Sequence, residues 1–491
     1  MHMFGNGVVN EELEKVRALV SYDFPVYNSL VSADAFVFFV QVFDDLDRRF
    51  ESLRIRLRDI GYLPMIKKEK GEYMIYVMRM RKKGSRGVKI NLIMLILTII
   101  TTGIAGTMLW SSYVNASRLF TAKNVIYGLI YFSAPLLLIL GSHELGHYMV
   151  SKKHNVDATL PFFIPFPPPL GTMGAFISMK EPIPDRKALL DIGIAGPITG
   201  FLVAIPVALL GIHLSNIYAR PVPPNIGEAH VYLVRMPLMY SILTHFLPLR
   251  QDVMIHPTMF AAWAGFIVTA INLMPIGQLD GGHVARAILR AKAKYLSYAC
   301  IGVLIALSVY YNYIGWFIFA VLVMFLGLRH PPPLNDISEL DKKRFAAGAL
   351  GLSLIFLCFV PVPISVIESV HDYRVIINGK EAYSLELRSG DFANITIENT
   401  GNTRLVLVVQ FEKNPALISQ NITLWARCDN ASCSVAGGDI TVALDGGGRC
   451  TLTVYGALNG SSGSDKVSAY LLLRDADNII EDRCVKITIR G

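Results

Sequence analysis

Residues 125–149 read VIYGLIYFSAPLLLILGSHELGHYM, an apolar run that ends in a compact group of polar side chains. The only formally charged residue of this run is Glu144, which stands between His143 and His147. A stretch of about 20 apolar residues is long enough to cross the hydrocarbon core of a bilayer as a helix. The run therefore predicts a transmembrane helix that carries ionisable groups near one end.

Six other stretches have the same apolar character, which gives about seven predicted spans in a transmembrane domain over 88–367. The seven stretches are 90–110, 125–149, 188–210, 257–276, 296–311, 313–328 and 345–366. The fifth and sixth are separated only by Tyr311-Asn312-Tyr313. One fused helix from 296 to 328 would be too long for a single span at the usual tilt, so we expect a tight hairpin there. The chain is predicted to be a polytopic α-helical membrane protein.

The composition of the whole chain agrees with this class. Of its 491 residues, 53% are hydrophobic and only 17% are charged, whereas soluble chains carry about 25% charged residues. The formal net charge is +8, but the basic residues cluster beside apolar runs and form no stripe through a polar domain. We therefore expect the lipid bilayer as a partner and no nucleic acid.

The charges that flank the apolar stretches predict how the chain is oriented in the membrane. Six basic residues and no acidic residue occupy 79–89, directly before the first span. Because cytoplasmic loops carry an excess of Lys and Arg, the N-terminal end is expected in the cytoplasm. Basic residues also follow the second, fourth and sixth spans, as this orientation requires. Seven spans then leave the C-terminal end outside.

Residues 1–87 are predicted to form a small cytoplasmic α+β domain. The start of the chain lacks a short basic region followed by an apolar one, so no cleavable signal is expected. Residues 11–20 and 35–60 show the apolar spacing of amphipathic helices. Residues 73–78 alternate as a strand does after the turn at Gly71.

Residues 370–491 are predicted to form an extracytoplasmic all-β sandwich. Short alternating segments such as 404–410 and 469–474 are separated by Gly and Asn at intervals of about 8–12 residues. Four cysteines fall in this region: Cys428, Cys433, Cys450 and Cys484. Two disulfides are expected in an exterior domain of this kind, and three pairings are open. All five Asn-x-Ser/Thr sequons lie on segments expected outside: Asn115, Asn394, Asn421, Asn430 and Asn459.

The polar group at the end of the second span has the spacing of a metal site. His143 and His147 are four residues apart, so on a helix both imidazoles point to one side and can share a metal ion. Two His and a Glu at the end of an apolar span are costly unless they are paired or bind a metal. Zn²⁺ suits two imidazoles, and a catalytic zinc requires a third protein ligand and an open position for water. The sequence therefore predicts a zinc site inside the membrane.

Asp280 is the expected third ligand. It lies in NLMPIGQLDGGH, residues 272–283, at the end of the fourth span that faces the same side of the membrane as His143. Pro275 and the two glycines after Asp280 are expected to break the helix locally. Broken helices are tolerated at membrane depth only where the backbone is buried or lines a wet cavity. A water-accessible site is therefore implied.

Three other side chains compete for the third position. His283 is the nearest competitor, and its alternative is a solvated position at the start of a short cytoplasmic helix. Asp157 and Asp191 are the other carboxylates within reach in sequence. We expect Asp157 to cap or turn a loop, and Asp191 to pair with Arg186 or Lys187.

The two motifs resemble those of the site-2 protease class of intramembrane zinc metalloproteases. They are His143-Glu144-x-x-His147, and Asn272-x-x-Pro275 followed by Leu279-Asp280-Gly281. Residues 171–177 and 184–197 carry further similarity to the branch with archaeal, cyanobacterial and plastid members that have a soluble N-terminal extension. The resemblance covers residues 88–330. The PDZ or CBS module common in this class is not recognisable in the sequence.

The resemblance implies a role for each of five residues. His143, His147 and Asp280 are the implied metal ligands, Glu144 is the implied catalytic base, and Asn272 lies near the bound peptide. The implied function is that of an intramembrane zinc metalloprotease that hydrolyses peptide bonds in or near the transmembrane segments of membrane protein substrates. Glu144 would activate a zinc-bound water and pass its proton to the leaving amine.

Some alternatives stay open at this point. Residues 171–179 are apolar and β-like, and they either pair with an unwound substrate as an added strand or form a re-entrant loop. A metal transporter would also hold His, Asp and Glu in its spans. It would not need Glu144 beside a ligand together with a carboxylate at a broken helix. An inactive relative that serves as a scaffold is disfavoured by the intact ligand set.

Overall fold

The computed structural model divides the chain into two compact units. The first comprises Met1–Pro221 and Arg235–Pro363, and the second comprises Val222–Val234 and Ile364–Gly491. The structure describes residues 4–32, 34–80, 88–220, 231–250, 253–328, 330–367, 371–401, 403–412, 422–428, 433–436, 439–458, 466–476, 480 and 482–490. The asparagines of three sequons, Asn421, Asn430 and Asn459, lie outside these residues.

The N-terminal region of the first unit packs two helices against a four-stranded antiparallel sheet. Its elements are α1 Phe4–Asp23, β1 Val26–Val31, β2 Ala35–Val40, α2 Leu46–Asp59, β3 Tyr62–Glu69 and β4 Glu72–Arg79. The strand order is β1-β2-β4-β3. Buried residues of both helices and of the sheet form one core, among them Val16, Phe38, Phe50 and Ile75. The predicted helix over 11–20 is confirmed, and so is the strand predicted at the position of β4.

The helix predicted over 35–60 is wrong in its first part. Residues 35–40 form β2, and only 46–59 are helical. The run AFVFFV consists of aromatic and β-branched residues, which suit a buried strand, and a run this short cannot be assigned from periodicity alone. Since β2 lies between β1 and β4, its backbone groups pair on both edges. That pairing stabilises the strand.

The rest of the first unit contains mainly apolar helices, together with the strands β5 Phe162–Pro165 and β6 Thr172–Phe176. The helices are α3 Val88–Tyr113, α4 Ala122–Gly128, α5 Ala134–Lys153, α6 Arg186–Tyr218, α7 Leu238–Phe246, α8 Pro257–Asn272, α9 Asp280–Leu289, α10 Ala293–Tyr310, α11 Ile314–Leu326 and α12 Lys342–Cys358. A π-helical turn joins α4 to α5 without interruption. Within the described ranges, four helical runs are long and apolar enough to cross a membrane: 88–113, 122–153, 186–218 and 280–310. Each predicted stretch contains a helix, and the number of spans stays a prediction.

The chain turns between the fifth and sixth predicted stretches. α10 ends at Tyr310 and α11 begins at Ile314. Asn312, between them, has a left-handed backbone with φ of 49°, a conformation that Asn adopts more readily than most residues. The two helices are therefore separate, as the sequence predicted.

The chain also turns between α8 and α9. α8 ends at Asn272 and α9 begins at Asp280, with Pro275 in the break. Gly281 and Gly282 lie within α9, contrary to the prediction that they interrupt a helix. A Cβ at either position would overlap a backbone carbonyl of the break. The two glycines therefore allow the first turn of α9 to pack closely against the chain that precedes it.

Buried ion pairs and main-chain bonds attach the N-terminal region to the rest of the first unit. Arg54 of α2 is fully buried and lies 2.7 Å from the carboxylate of Glu51 and 3.4 Å from that of Glu181, which precedes α6. The N–H of Ile66, on the edge strand β3, donates to the carbonyl of Leu334. The segment around Leu334 therefore covers part of a sheet edge that would otherwise be open for pairing.

The described part of the second unit is all-β. Its strands are β7 Val231–Val234, β8 Ile364–Ile367, β9 Tyr373–Ile377, β10 Lys380–Glu381, β11 Ser384–Arg388, β12 Asp391–Asn399, β13 Leu405–Phe411, β14 Ile422–Cys428, β15 Cys433–Ala436, β16 Asp439–Leu444, β17 Arg449–Leu458, β18 Lys466–Asp475 and β19 Arg483–Arg490. One sheet has the order β10-β9-β12-β17-β14 and another has β11-β19-β18-β13-β16-β15. Residues of both sheets enclose one hydrophobic core, as expected of a β-sandwich.

The expectation of two disulfides in this unit is wrong. Cys484, on β19, has a free and exposed thiol, whereas two bridges would require all four cysteines. The side chains of Cys428 and Cys433 lie outside the described part of the chain. At most one disulfide can therefore join members of the remaining three.

Candidate metal centre

Three side chains from two helices converge inside the first unit. His143 and His147 lie one turn apart on α5 and are 4% and 6% exposed, and Asp280 is the first residue of α9. The Nε2 atoms of the two imidazoles are 3.1 Å apart. Oδ2 of Asp280 lies 3.1 Å from Nε2 of His143 and 3.2 Å from Nε2 of His147. The three donor atoms form a nearly equilateral triangle, which suits three ligands of one metal ion.

A hydrogen bond around His147 fixes which of its nitrogens faces this triangle. Nδ1 lies 2.7 Å from the carbonyl oxygen of Ile192 on α6. Because a carbonyl oxygen only accepts, Nδ1 carries the proton and donates it, and Nε2 presents a lone pair. Backbone support of this kind is usual for histidines that bind metals.

Two further polar side chains border the triangle. Glu144 is 5% exposed, and its Oε1 lies 4.0 Å from Nε2 of His143. Asn272, the last residue of α8, has its Nδ2 3.4 Å from the same nitrogen. The structure therefore brings together all five residues to which the resemblance gives a role.

These side chains line a cavity of about 230 Å³. At about 30 Å³ per water molecule, the cavity has room for several waters. One wall is formed by Ala175, Phe176, Ile177 and Met179. Strands β5 Phe162–Pro165 and β6 Thr172–Phe176 form a hairpin, and β6 pairs with β5 alone among the strands that the structure describes. The apolar segment after residue 171 thus contains a strand at the cavity.

Comparison with known proteins identifies the segment that holds this cavity. Residues 131–310 match the family model described as peptidase family M50. This part of the chain, here called the M50 segment, is similar to peptidase family M50. The resemblance to site-2 proteases that we drew from the two motifs is thereby confirmed.

Plant proteins are among the relatives of the M50 segment. The probable zinc metalloprotease EGY2, chloroplastic, of Arabidopsis thaliana is 31% identical over 228 residues, which cover 46% of this chain and 40% of the relative. The probable zinc metalloprotease EGY1, chloroplastic, of the same plant is 28% identical over 300 residues, which cover 55% of this chain and 53% of the relative. The chain thus spans about half the length of these relatives, or less.

His283 of the M50 segment is outside the donor triangle. Its Nδ1 lies 3.0 Å from the carbonyl of Leu279, and its ring centroid is 4.4 Å from that of His330. It is half-buried in the wall of the cavity, which differs from the solvated position that the sequence left open as the alternative. Because α9 begins at Asp280, His283 lies in the first turn of this helix.

The two other carboxylates of the M50 segment that we considered are engaged elsewhere. Asp191 lies 3.0 Å from Nε2 of His154 and 3.0 Å from Nε of Arg344. Its expected partners contact other groups instead: Arg186 donates to the carbonyl oxygen of Ser338, and Lys187 donates to the carboxylate of Asp47. Asp157 lies in a loop 2.7 Å from Nζ of Lys152, and this hydrogen bond lowers the pKa of the Asp157 carboxyl.

Sequence reasoning missed a glycine stripe on α6, formed by Gly193, Gly196 and Gly200. A Cβ at Gly196 would overlap the imidazole of His147, and one at Gly200 would lie 3.2 Å from the Cβ of His143. The stripe lets α6 approach α5 and α9 closely, so that the backbone of α6 can support the side chains of the donor triangle. Small residues three and four positions apart were a visible signal of such packing in a membrane helix.

We expect Gly196→Ala to weaken metal binding by about 10–100-fold, the range measured when the outer support of a metal ligand is lost. The added methyl would displace the His147 ring from the donor triangle. The measurement is a titration of the purified, metal-depleted chain with Zn²⁺. Gly302→Ala on α10 is the matched control, since a Cβ there meets nothing within 4 Å. Equal affinities of the two variants would contradict the proposed role of the stripe.

Proposed function

We propose that the chain is a zinc metallopeptidase that hydrolyses peptide bonds in or near the membrane-spanning segments of other membrane proteins. The observation that carries this proposal is the donor triangle of His143, His147 and Asp280 with Glu144 beside it. The site opens on a cavity, and the helical run 122–153 that provides three of these residues is long and apolar enough to cross a membrane. The match of residues 131–310 to peptidase family M50 supports the same reaction class.

The donor triangle fits Zn²⁺. In a tetrahedral site with bonds of about 2.0–2.1 Å, neighbouring ligand atoms are separated by about 3.3 Å. The three separations in the triangle are 3.1, 3.1 and 3.2 Å. When bound, Zn²⁺ supplies a Lewis acid that polarises the scissile carbonyl and lowers the pKa of a water toward 7. Relatives named probable zinc metalloproteases support this choice of metal.

Glu144 is the proposed general base. Its carboxylate lines the cavity next to the ligands and is shielded from bulk water. It takes a proton from the attacking water and delivers this proton to the nitrogen of the leaving amine, so that the amine departs as a neutral group. Nδ2 of Asn272 faces the same site and donates a hydrogen bond to the carbonyl oxygen of the peptide as negative charge develops there.

The proposed substrates are segments of membrane proteins that can become extended. A helix holds each peptide carbonyl in a backbone hydrogen bond, so the substrate must unwind locally before attack. Because β6 lines the cavity and pairs only with β5 in the part of the chain that is described, an unwound substrate can add to its other edge as a strand. This geometry would hold the scissile carbonyl still beside the catalytic side chains.

The proposal includes seven spans, with the N-terminal region in the cytoplasm and the β-sandwich outside. In a background without native cysteines, Glu69→Cys and Arg290→Cys are expected to react with a thiol reagent only after the membrane is permeabilised. Arg118→Cys and Arg388→Cys are expected to react from outside in intact cells. All four positions are exposed. Labelling of Glu69→Cys and Arg388→Cys from the same side would contradict an odd number of spans.

Removal of the metal tests the reaction class. We expect the purified chain to hold one zinc ion and to cleave a transmembrane peptide within or next to its apolar stretch. A chelator should abolish cleavage, and added Zn²⁺ should restore it. Mass spectrometry of the products locates the scissile bond. Cleavage that persists in metal-free protein, or that falls only in soluble parts of the substrate, would contradict the proposal.

A further inference from the structure

Three aromatic side chains lie together on the exposed face of one sheet of the second unit. Phe392, Tyr455 and Trp425, here called the aromatic triad, come from β12, β17 and β14. The ring centroids are 4.9 Å apart for Phe392 and Tyr455, 5.4 Å for Trp425 and Tyr455, and 5.8 Å for Phe392 and Trp425. Phe392 is 60% exposed and Trp425 is 41% exposed. These rings leave a sizeable apolar surface in contact with water.

The strand register explains why the three rings meet. Phe392 is opposite Tyr455, and Tyr455 is opposite Trp425. Because side chains alternate between the two faces of a sheet, the triad lies on the face opposite the buried residues Ile395, Leu452 and Val454. Cross-strand aromatic pairs of this kind stabilise a sheet. That role does not require Phe392 to keep most of its surface exposed.

The next position on the same face is an N-glycosylation sequon. Asn394-Ile395-Thr396 follows Phe392, so Asn394 lies two residues along β12 on the same side, about 7 Å away. Asn394 is exposed, and its Oδ1 accepts a hydrogen bond of 3.0 Å from Oγ1 of Thr453. With Oδ1 held by the sheet, Nδ2 points away from this partner. Nδ2 is the atom to which an N-linked glycan is attached.

We propose that Asn394 carries an N-linked glycan whose first sugars pack on the aromatic triad. In the transfer, Nδ2 of Asn394 bonds to the anomeric carbon of a lipid-pyrophosphate-linked sugar donor. The bond from that carbon to the pyrophosphate breaks, so that the lipid pyrophosphate leaves and Nδ2 loses one proton.

The faces of aromatic rings are electron-rich, and the C–H groups of a pyranose carry small positive charges. A sugar ring laid on the triad would therefore cover apolar surface while its hydroxyl groups stay in water. The covalent link holds the sugar close to the rings, so that stacking which is weak between separate molecules becomes effective.

The size of the triad favours a glycan over a protein partner. A fully exposed aromatic side chain presents about 150–250 Å², so three half-covered rings offer roughly 300 Å². A stable protein interface requires about 800 Å² per partner. Thr453, a polar residue opposite Asn394, borders the triad along the same face and can bond sugar hydroxyls.

The first test is the state of Asn394 in the full chain isolated from the membranes of its own source organism. Trypsin releases residues 389–404, which contain this one sequon. We expect mass spectrometry to find this peptide with attached sugar masses. Thr396→Ser keeps the sequon and should keep the glycan, whereas Thr396→Val should yield the bare peptide. A bare peptide from the unmodified sequence would overturn the proposal.

The second test measures whether the glycan packs on the rings. We expect Thr396→Val to speed hydrogen exchange in β12 and β17 by about 2–10-fold relative to Thr396→Ser, since the glycan then no longer restrains local opening. In chains that also carry Phe392→Ala, the exchange rates of Thr396→Val and Thr396→Ser should differ little. The same variants made in a host without N-glycosylation show how much the substitutions alone change the exchange rates. Packing on the triad would be overturned if the exchange rates of Thr396→Val and Thr396→Ser differed equally with and without Phe392. It would also be overturned if Phe392→Ala changed the oligomeric state of the chain that carries no glycan.

Discussion

Replacement of Glu144 by Gln is expected to abolish peptide hydrolysis while the chain keeps its zinc. General acid–base catalysis contributes about 10²–10⁴-fold to the rate, so we expect a loss of at least this size. The amide of Gln has nearly the shape of the carboxylate but cannot accept the proton of the attacking water. The measurement is the rate of cleavage of a transmembrane peptide, together with zinc content by elemental analysis.

The position of Glu144 is the reason to separate these two effects. Oε1 is 4.0 Å from Nε2 of His143, whereas the three donor atoms of the triangle are 3.1–3.2 Å from one another. The donor group comprises His143, His147 and Asp280 and leaves Glu144 free for proton transfer. Loss of zinc in the Glu144→Gln variant would show that the carboxylate is a ligand and would contradict this division of roles.

Asp157→Asn is the matched control for Glu144→Gln. Asp157 is also a carboxylate of the M50 segment, but its side chain is 52% exposed and contacts Lys152. Removing its charge should leave both zinc content and the rate of cleavage nearly unchanged. A comparable loss of activity in this control would mean that the effect of Glu144→Gln reflects the lost charge and not the lost base.

The part of the site that the sequence could predict is the part with local or motif-like spacing. The pairing of His143 and His147 follows from the helical repeat alone. The meeting of Asp280 with them was an inference from two helix ends on one side of the membrane, and the short distances in the structure agree with it. Support from Ile192 and Gly196 could not be predicted in the same way, because it depends on which face of α6 packs against α5.

The errors in the fold have the same origin. The run 35–40 is too short for its periodicity to distinguish a strand from a helix, and its place between two other strands decided the outcome. Asp191 was assigned to neighbours in sequence, but its partners His154 and Arg344 come from other helix ends that the tertiary structure brings near. Longer apolar helices and the alternating strands of the sandwich were predictable, since many residues report the same pattern.

Replacement of Asp280 by Ala is expected to remove the metal itself, and activity with it. Loss of an outer-shell partner typically lowers metal affinity by about 10–100-fold, so loss of a direct anionic ligand should lower it further. Asp280 is the only carboxylate in the donor group, with its Oδ2 3.1 and 3.2 Å from the two histidine nitrogens. Without it, two neutral imidazoles would hold a dication. We expect purified Asp280→Ala protein to contain little zinc under conditions in which Glu144→Gln is fully loaded.

His283→Ala is the control that decides between the two candidates for the third ligand. His283 lines the same cavity, but its Nδ1 bonds the carbonyl of Leu279 and its ring packs on His330. If Asp280 is the ligand, His283→Ala keeps its zinc and Asp280→Ala loses it. The reverse pattern would assign the third position to His283. Glu144 would then face a site with three neutral ligands, and the carboxylate at the start of α9 would need another role.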